Sequence, residues 1–169
     1  MSKTDDVIGT VEDQHAEPSR TLTWASSAAV RQRMQVLPRR DTGPELALRR
    51  ELHRRGLRYR LHLRVVPGTR RRLVDVVFTG AKVAVFVDGC FWHGCAEHGG
   101  PLPQANPWYW PAKIARNARR DADTSARLSS AGWLVLRVWE HEDAVEAGLR
   151  VEEAVRARRP GRRKMTGAV

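Results

Sequence analysis

The sequence has little cysteine, no long apolar run and a deficit of acidic residues. Only Cys90 and Cys95 are cysteines among its 169 residues, which argues against a scaffold held by structural disulfides. No apolar stretch approaches the ~20 residues that a membrane-spanning helix needs, and residues 1–21 contain no signal-peptide core. These absences favour a cytoplasmic protein. The length of 169 residues favours one domain that is long enough to bury a sizeable core.

Acidic side chains are outnumbered by basic ones. The chain has 19 Asp and Glu against 30 Lys and Arg, which gives a formal net charge of +11. Such an excess favours an anionic partner, most simply nucleic acid. Arginine far outnumbers lysine, and guanidinium groups pair bidentately with phosphates. We therefore prefer nucleic acid to a basic surface without a partner.

The sequence pattern predicts one α/β domain between two polar ends. We expect a disordered leader over residues 1–23, a folded domain over 24–155 and a basic disordered tail over 156–169. The expected helices cover residues 24–34, 44–55, 111–131 and 142–156, and the expected strands cover residues 57–63, 73–78, 82–87 and 133–139.

A helix start and a half-buried strand come early in the domain. Thr42 and Glu45 fit a capping box. Glu45 is also a candidate carboxylate near a metal site, although its spacing alone favours the cap. Residues 57–63 alternate between apolar and basic side chains, which predicts a half-buried strand with His62 and its arginine neighbours on the outer face.

An acidic residue interrupts a strand that is otherwise built for burial. Asp75 stands between Val74 and Val76, where a carboxylate is costly unless it is paired or bound to a metal ion. A salt bridge to a nearby arginine is one explanation. Asp88 ends the next strand, so the two acids could also share one Mg²⁺ ion, which prefers hard oxygen ligands.

Both cysteines fall in a short segment after the third strand. Cys90, Cys95 and His98 have the spacing C-x4-C-x2-H, and thiolates with an imidazole suit Zn²⁺. A closed zinc site needs a fourth ligand. We prefer His141, which follows a strand of the same expected sheet, while His93 competes for that place. The alternative is two buried free cysteines with surface histidines.

Aromatic and basic residues surround this segment. Phe91 and Trp92 lie within it, and Trp110 precedes a basic helix that carries Lys113 and Arg116, which are candidates for contact with DNA. Aromatic residues in such positions are usually part of a core. In a protein that binds nucleic acid, they could instead wedge into a base stack, at a cost of roughly a few kcal/mol per unstacked step.

Several short motifs occur in a recognisable order. They are DTGPE at 41–45, LRYR at 57–60, PG at 67–68 followed by Asp75, FVDGCFWHGC at 86–95, WPAKIARN at 110–117 with RD at 120–121, and GW at 132–133 leading to VWE at 138–140. Together they resemble the very-short-patch-repair (Vsr-type) DNA mismatch endonucleases, over about residues 30–145.

The resemblance implies a restriction-endonuclease-like α/β core, with a mixed central sheet flanked by helices and a zinc-stapled loop. It implies Mg²⁺-dependent nicking of duplex DNA on the 5′ side of the thymine in a T·G mismatch, which starts short-patch repair. We expect a monomer associated with the nucleoid, with mismatch-repair proteins as candidate partners. The alternatives are a duplex or structure-specific nuclease without mismatch preference and a zinc-stabilised DNA-binding module.

The resemblance also assigns roles to individual residues. Asp75 and the backbone carbonyl of Val87 match Mg²⁺ ligands, His93 matches a catalytic histidine, and Glu45 matches an acid near the active site. The best-known members have a Thr-His pair where this chain has Val87 and Asp88, so Asp88 becomes a candidate second metal ligand. The remaining matches are the zinc ligands Cys90, Cys95, His98 and His141 and the DNA-wedge residues Phe91, Trp92 and Trp110.

Overall fold

The computed structural model describes residues 40–104 and 107–159. The expected leader over 1–23 and the expected helix over 24–34 lie outside the described residues, as does the tail from residue 160 onward. Within the described part, no helix is long and apolar enough to cross a membrane.

The described residues form a four-stranded sheet with helices on both faces. In chain order the elements are α1 (Gly43–Arg54), β1 (Arg60–Leu63), β2 (Val74–Phe78), β3 (Val83–Asp88), α2 (Cys90–His93), α3 (Tyr109–Ser130), β4 (Leu134–Trp139) and α4 (Ala144–Arg158). The strand order is β1-β2-β3-β4. The first two pairings are antiparallel and the β3–β4 pairing is parallel. The expected mixed sheet flanked by helices is confirmed.

Side chains of β3 alternate between two halves of the core. Val83 and Val85 pack with residues of α1 and α4, whereas Ala84 and Phe86 pack with a residue of α3. A strand covered on both faces reads as a continuous apolar run, which explains the sequence pattern. The same alternation carries Asp88 to the α3 side of the sheet, where it is buried at the strand's carboxyl end.

Some elements differ from the expected ones at their ends. β1 begins at Arg60 rather than at residue 57, and α4 ends at Arg158, so the tail expected from residue 156 begins inside a helix. The one-turn helix α2 was not expected. It ends at His93, and the next residue, Gly94, has a left-handed φ of 67°. A Cβ added at Gly94 would lie 2.8 Å from Ile114 Cγ2 on α3. Glycine at 94 therefore lets α2 pack directly against α3.

A second glycine permits close packing of α1 against α4. A Cβ at Gly148 would lie 2.7 Å from Glu51 Cγ and 3.2 Å from Arg55 Nε. Glu51 is buried and accepts hydrogen bonds from Arg54 and Arg55, and Arg55 also donates to Glu152 on α4. The contact between the two helices is thus an ion-pair network packed over a residue without a side chain.

We expect Gly148→Val to lower the free energy of unfolding by about 1–3 kcal/mol, because the new side chain overpacks this network. Guanidinium denaturation measures the change. Ala157→Val is the matched control, since it places the same β-branched residue at an exposed position of the same helix. Equal stability of the two variants would contradict the close packing described here.

Candidate active site and metal centres

Asp75 lies where β2 separates from β3. The backbone pairing of the two strands ends at Val76↔Val85. Beyond that pair, Asp75 Oδ2 accepts a hydrogen bond of 2.9 Å from the Val87 N–H. The structure therefore brings together the two expected Mg²⁺ ligands, Asp75 and Val87. No arginine within the described ranges forms an ion pair with Asp75, so none of those arginines provides the salt bridge that was the alternative explanation of this acid.

The surroundings of Asp75 disfavour its charged form. Burial raises the pKa of Asp75 to about 6, the carboxylates of Glu45 and Asp88 raise it as well, and the Val87 N–H and His62 oppose them. A desolvated carboxylate with further carboxylates around it is an arrangement that a divalent cation relieves. The donor set of carboxylate and backbone oxygens thus fits Mg²⁺.

Glu45 is fixed at the start of α1. It is buried, its Oε2 accepts a hydrogen bond from the Asp41 N–H at 2.9 Å, and its Oε1 accepts one from Thr42 Oγ1 at 3.2 Å. The expected capping box does not form in its standard pattern, because the Thr42 side chain caps no helix N–H and Glu45 accepts from the Asp41 N–H rather than from the Thr42 N–H. These bonds hold the carboxylate within electrostatic range of Asp75.

The alternation predicted that His62 lies on the outer face of β1, but the structure turns its side chain away from that face. Its φ of 50° breaks the regular pleat, and its side chain is only 19% exposed. Nε2 is buried and has no hydrogen-bond partner among the described residues. It lies 3.9 Å from Asp41 Oδ1. Period-two alternation could not find this residue, since one left-handed φ is enough to defeat it.

Asp88 belongs to a second polar cluster, formed with His93, Asp121 and Arg137. Arg137 donates from Nε at 2.5 Å and from Nη2 at 2.9 Å to the two oxygens of Asp88. The same guanidinium lies over the ring of Phe86, 5.1 Å from its centroid. Both carboxylate oxygens of Asp88 accept a hydrogen bond from Arg137, so this guanidinium already supplies a positive charge where a second Mg²⁺ ion would otherwise do so.

His93 is oriented by this second cluster. Its Nδ1 lies 2.5 Å from Asp121 Oδ2 and 3.6 Å from Asp88 Oδ1. Burial raises the pKa of Asp121, but the hydrogen bond with His93 and the charge of Arg137 outweigh burial and hold that pKa below its usual range. An ionised Asp121 accepts the hydrogen of Nδ1, which leaves Nε2 of His93 as the nitrogen that can exchange a proton.

The sequence patterns did not single out Asp121 as a site residue, although a signal was present. Asn117, Thr124 and Leu128 are buried on α3, and Asp121 falls on the same helical stripe at intervals of three and four residues. A polar stripe facing inward is unusual for a surface helix. Arg137 carried a weaker signal, as a lone charge inside an apolar strand.

Three of the four expected zinc ligands converge. Cys90 Sγ lies 3.0 Å from His141 Nδ1 and Cys95 Sγ lies 3.8 Å from the same atom, and the three donor atoms are within 4.8 Å of one another. His98 lies beside His141, with the ring centroids 4.1 Å apart and the ring planes tilted by 38°, but its side chain is 55% exposed. His93 is directed to Asp121 instead.

The chemistry of this group suits a thiophilic cation. Burial raises the pKa of the Cys90 thiol to about 11, and the neighbouring Cys95 thiol raises it as well. A metal ion reverses this preference, because thiolates are the ligating form. Two buried thiols and the imidazole of the more exposed His141 form a donor set that fits Zn²⁺.

The three expected wedge residues form one aromatic cluster. Phe91 lies 5.2 Å from both Trp92 and Trp110 between ring centroids, and the two tryptophans are 6.1 Å apart. Asn117 Nδ2 donates to the Trp92 carbonyl at 2.7 Å and ties the cluster to α3. Trp110 is only 3% exposed, so it forms the floor of the cluster, while Phe91 and Trp92 are half-buried.

The two expected DNA-contacting cations lie on α3. Arg116 is exposed and Lys113 is half-buried. Both belong to the first half of the helix, next to the aromatic cluster at its start. Basic side chains therefore adjoin the aromatic cluster on the same element.

Comparison with known proteins places the chain in a family. A model of the family "DNA mismatch endonuclease Vsr" matches residues 25–98. The type II nicking enzyme V.NaeI of Lentzea aerocolonigenes is 46% identical over 134 residues, which cover 78% of this chain and 80% of that enzyme. The chain belongs to the Vsr family of DNA endonucleases.

Other similar proteins extend the comparison. The type II nicking enzyme V.XorIIP of Xanthomonas oryzae pv. oryzae is 42% identical and covers 69% of this chain and 86% of its own length. The DNA mismatch endonuclease Vsr of Escherichia coli K12 is 34% identical, with 63% and 66% covered. Among solved structures, the catalytic domain of homing endonuclease I-Bth0305I matches 69% of this chain and 97% of its own, at 21% identity and a TM-score of 0.48. The family resemblance read from the motifs is confirmed.

We expect Asp75→Asn to stabilise the protein in Mg²⁺-free buffer at pH 8 by up to about 3 kcal/mol. Each unit by which the folded-state pKa of Asp75 exceeds its unfolded-state pKa is worth about 1.4 kcal/mol. The pKa of about 6 in the folded state exceeds the ordinary value of 3.8. Ionisation therefore opposes folding as the pH rises from about 4 to 6, and the full penalty is present above that range. Asparagine carries no charge, and its oxygen can still accept the Val87 N–H.

Urea denaturation at pH 4 and pH 8 measures this effect. The difference between Asp75→Asn and the unaltered protein should shrink toward pH 4, where Asp75 is protonated in the folded state and most of the penalty has disappeared. Glu153→Gln, at an exposed position of α4, is the control for the loss of one negative charge. An asparagine variant less stable than the unaltered protein at pH 8 would show that Asp75 is not desolvated.

Proposed function

We propose that this Vsr-family protein is an endonuclease that nicks duplex DNA on the 5′ side of the thymine in a T·G mismatch and so starts short-patch repair. The observation that supports it most directly is the desolvated Asp75 bonded to Val87, with the His93–Asp121 pair supplied from α2 and α3. Family membership supports DNA cleavage, and the name of the E. coli relative supports mismatched DNA as substrate.

Asp75 and the backbone carbonyl of Val87 would hold Mg²⁺, with the buried Glu45 carboxylate close by. When bound, the cation would neutralise the scissile phosphate and stabilise the leaving 3′ oxygen. The protein prepares for this by keeping Asp75 desolvated and fixed by the Val87 N–H. A rigid carboxylate of this kind gains most from a cation, because burial has already removed competing water.

His93 carries the proton chemistry in this proposal. Asp121 holds its Nδ1–H, so Nε2 can take a proton from the attacking water or contact the phosphate. Asp88 acts as a positioning residue rather than a metal ligand. Its carboxylate anchors Arg137, and the Arg137 Nη2 in turn lies 3.3 Å from Asp121 Oδ2. Asp121 is thereby held between an imidazole and a guanidinium.

Binding of the duplex would use the neighbouring surfaces. Phe91 and Trp92 are placed to enter the base stack, with Trp110 beneath them, and Lys113 and Arg116 are placed to meet phosphates. Such contacts release counterions, so affinity should fall steeply with salt. The cysteine group, completed by His98, would hold Zn²⁺ and fix α2 in position.

A nuclease without mismatch preference is the second candidate. The burial of Trp110 favours it, because an aromatic residue that is already packed gives up stacking partners before it can enter DNA. A DNA-binding module without catalysis is disfavoured by the family of endonucleases to which the chain belongs.

Strand cleavage of an end-labelled duplex, with and without one T·G mismatch, tests the proposal. We expect a nick in the thymine strand of the mismatched duplex only, dependent on Mg²⁺. Asp75→Asn should abolish the nick and retain DNA binding, whereas the charge control Glu153→Gln should cut normally. Equal cutting of both duplexes would support the second candidate, and cleavage by Asp75→Asn would remove Asp75 from the metal role.

The zinc assignment has its own test. Cys90→Ser should lose bound zinc and lower the melting temperature, since structural zinc contributes several kcal/mol to small domains. His98→Ala, which alters the most exposed of the four ligands, should weaken zinc by about 10–100-fold. Native mass spectrometry counts the metal, with His53→Ala at an exposed position of α1 as the control. Unchanged zinc content in Cys90→Ser would rule out this site.

A further inference from the structure

We propose that Asp41, Glu45 and His62 form a second divalent-cation site, next to the Asp75–Val87 position and separate from the cysteine group. One carboxylate oxygen from each acid and one imidazole nitrogen lie within 4.8 Å of one another. The three donors come from the start of α1, the residue before its N-cap and the middle of β1. Two acids that are close in sequence thus converge with a histidine of the following strand.

The imidazole supplies an independent observation. His62 Nε2 is buried, and none of the residues that the structure describes reaches it with a hydrogen bond. A buried nitrogen without a partner costs about 1–3 kcal/mol, and a folded protein rarely leaves that cost unmet. Among the described residues, its nearest charged neighbour is the Asp41 carboxylate, whose Oδ1 lies 3.9 Å from Nε2 and is too far for a hydrogen bond.

Backbone strain is concentrated at the same place. Among the described residues, non-glycine residues with positive φ are Asp41 at 55°, His62 at 50° and Lys82 at 50°. Two of these three are ligands in the proposed site. A left-handed residue costs roughly 1–2 kcal/mol, and such strain persists mainly where a functional geometry requires it. At His62 this backbone conformation turns the imidazole away from the outer face of β1 and toward the Asp41 carboxylate.

The donor set indicates the kind of ion. Two carboxylates with one imidazole suit a first-row divalent cation such as Mn²⁺ better than Mg²⁺, which prefers oxygen ligands alone. Arg49 contacts Oδ1 of Asp41, and the carboxylate has a second oxygen to offer. With Asp75 close to Glu45 and His62, the site lies in a locally anionic region that favours a cation.

The site adjoins the one proposed for catalysis. Glu45 and His62 both act electrostatically on Asp75, so they lie near enough for the two cations to influence each other. Paired cations are a recurrent arrangement in phosphodiester hydrolysis. Cation binding can nevertheless be measured without DNA, so this proposal and the proposed function can fail separately.

Titration of the full-length protein with Mn²⁺ alone, followed by electron paramagnetic resonance, tests the site. We expect two bound equivalents, since cysteine-rich sites bind Mn²⁺ weakly and add none. His62→Asn should weaken one equivalent at least about 10-fold and leave the other. Asparagine tolerates positive φ, so this variant should fold. Asp75→Asn should lose the other equivalent, and His53→Ala, an exposed histidine of α1, should keep both.

Paramagnetic broadening by Mn²⁺ of the His62 imidazole signals in the unaltered protein tests the site without a substitution. We expect those signals to broaden at a lower Mn²⁺ concentration than the signals of His53. One bound equivalent in the unaltered protein, two retained in His62→Asn, or the same equivalent lost in both His62→Asn and Asp75→Asn would each overturn the proposal. None of these results would alter the outcome of the nicking assay.

Discussion

Parallel pairing of β3 with β4 determines where the polar clusters of this protein lie. The register runs from Val83↔Leu134 to Asp88↔Trp139, so both strands end at the same edge. The chain then turns into α2 on one side and into Glu140 and His141 on the other. Glu140 Oε1 accepts the Cys90 N–H at 2.6 Å across a separation of 50 residues, and His141 meets the Cys90 thiol. The cysteine group cannot assemble until the sheet has formed.

The same edge holds groups that a fold selected for stability alone would avoid. It contains a desolvated carboxylate at Asp75, an imidazole at His62 whose Nε2 has no hydrogen-bond partner among the described residues, and a left-handed Asp41. Each opposes folding in isolation. The surrounding core, packed on both faces of β3, supplies the excess stability that keeps them in place. Their concentration at one edge is a physical reason, independent of family membership, to locate the chemistry there.

Much of this arrangement was accessible from the sequence, for identifiable reasons. Buried strands show as apolar runs, the two cysteines fall within one six-residue window, and an acid such as Asp75 stands out in an apolar strand. The mixed sheet and the family followed from these patterns and from the motifs. The convergence of His141 with the cysteines followed from placing its strand in the same sheet.

Other features depended on contacts that no local pattern encodes. The position of His62 depends on one unusual backbone angle, and alternation predicted the opposite face. The parallel register pairs Arg137 with Phe86, from where its guanidinium reaches both oxygens of Asp88 two residues further along β3, and sequence spacing gave no sign of this contact. Trp110 is buried by the packing of α2 on α3, which involves a helix that was not expected.

The Asp88–Arg137 pair has a consequence for how this family can change over time. A buried ion pair tolerates loss of both charges far better than loss of one, which costs about 3–5 kcal/mol in fully buried cases. A descendant that replaced Asp88 with histidine alone would leave the guanidinium of Arg137 stranded above Phe86. The two positions are therefore expected to change together or in quick succession. Lineages with aspartate at position 88 and arginine at position 137 should form a branch separate from lineages with histidine at position 88.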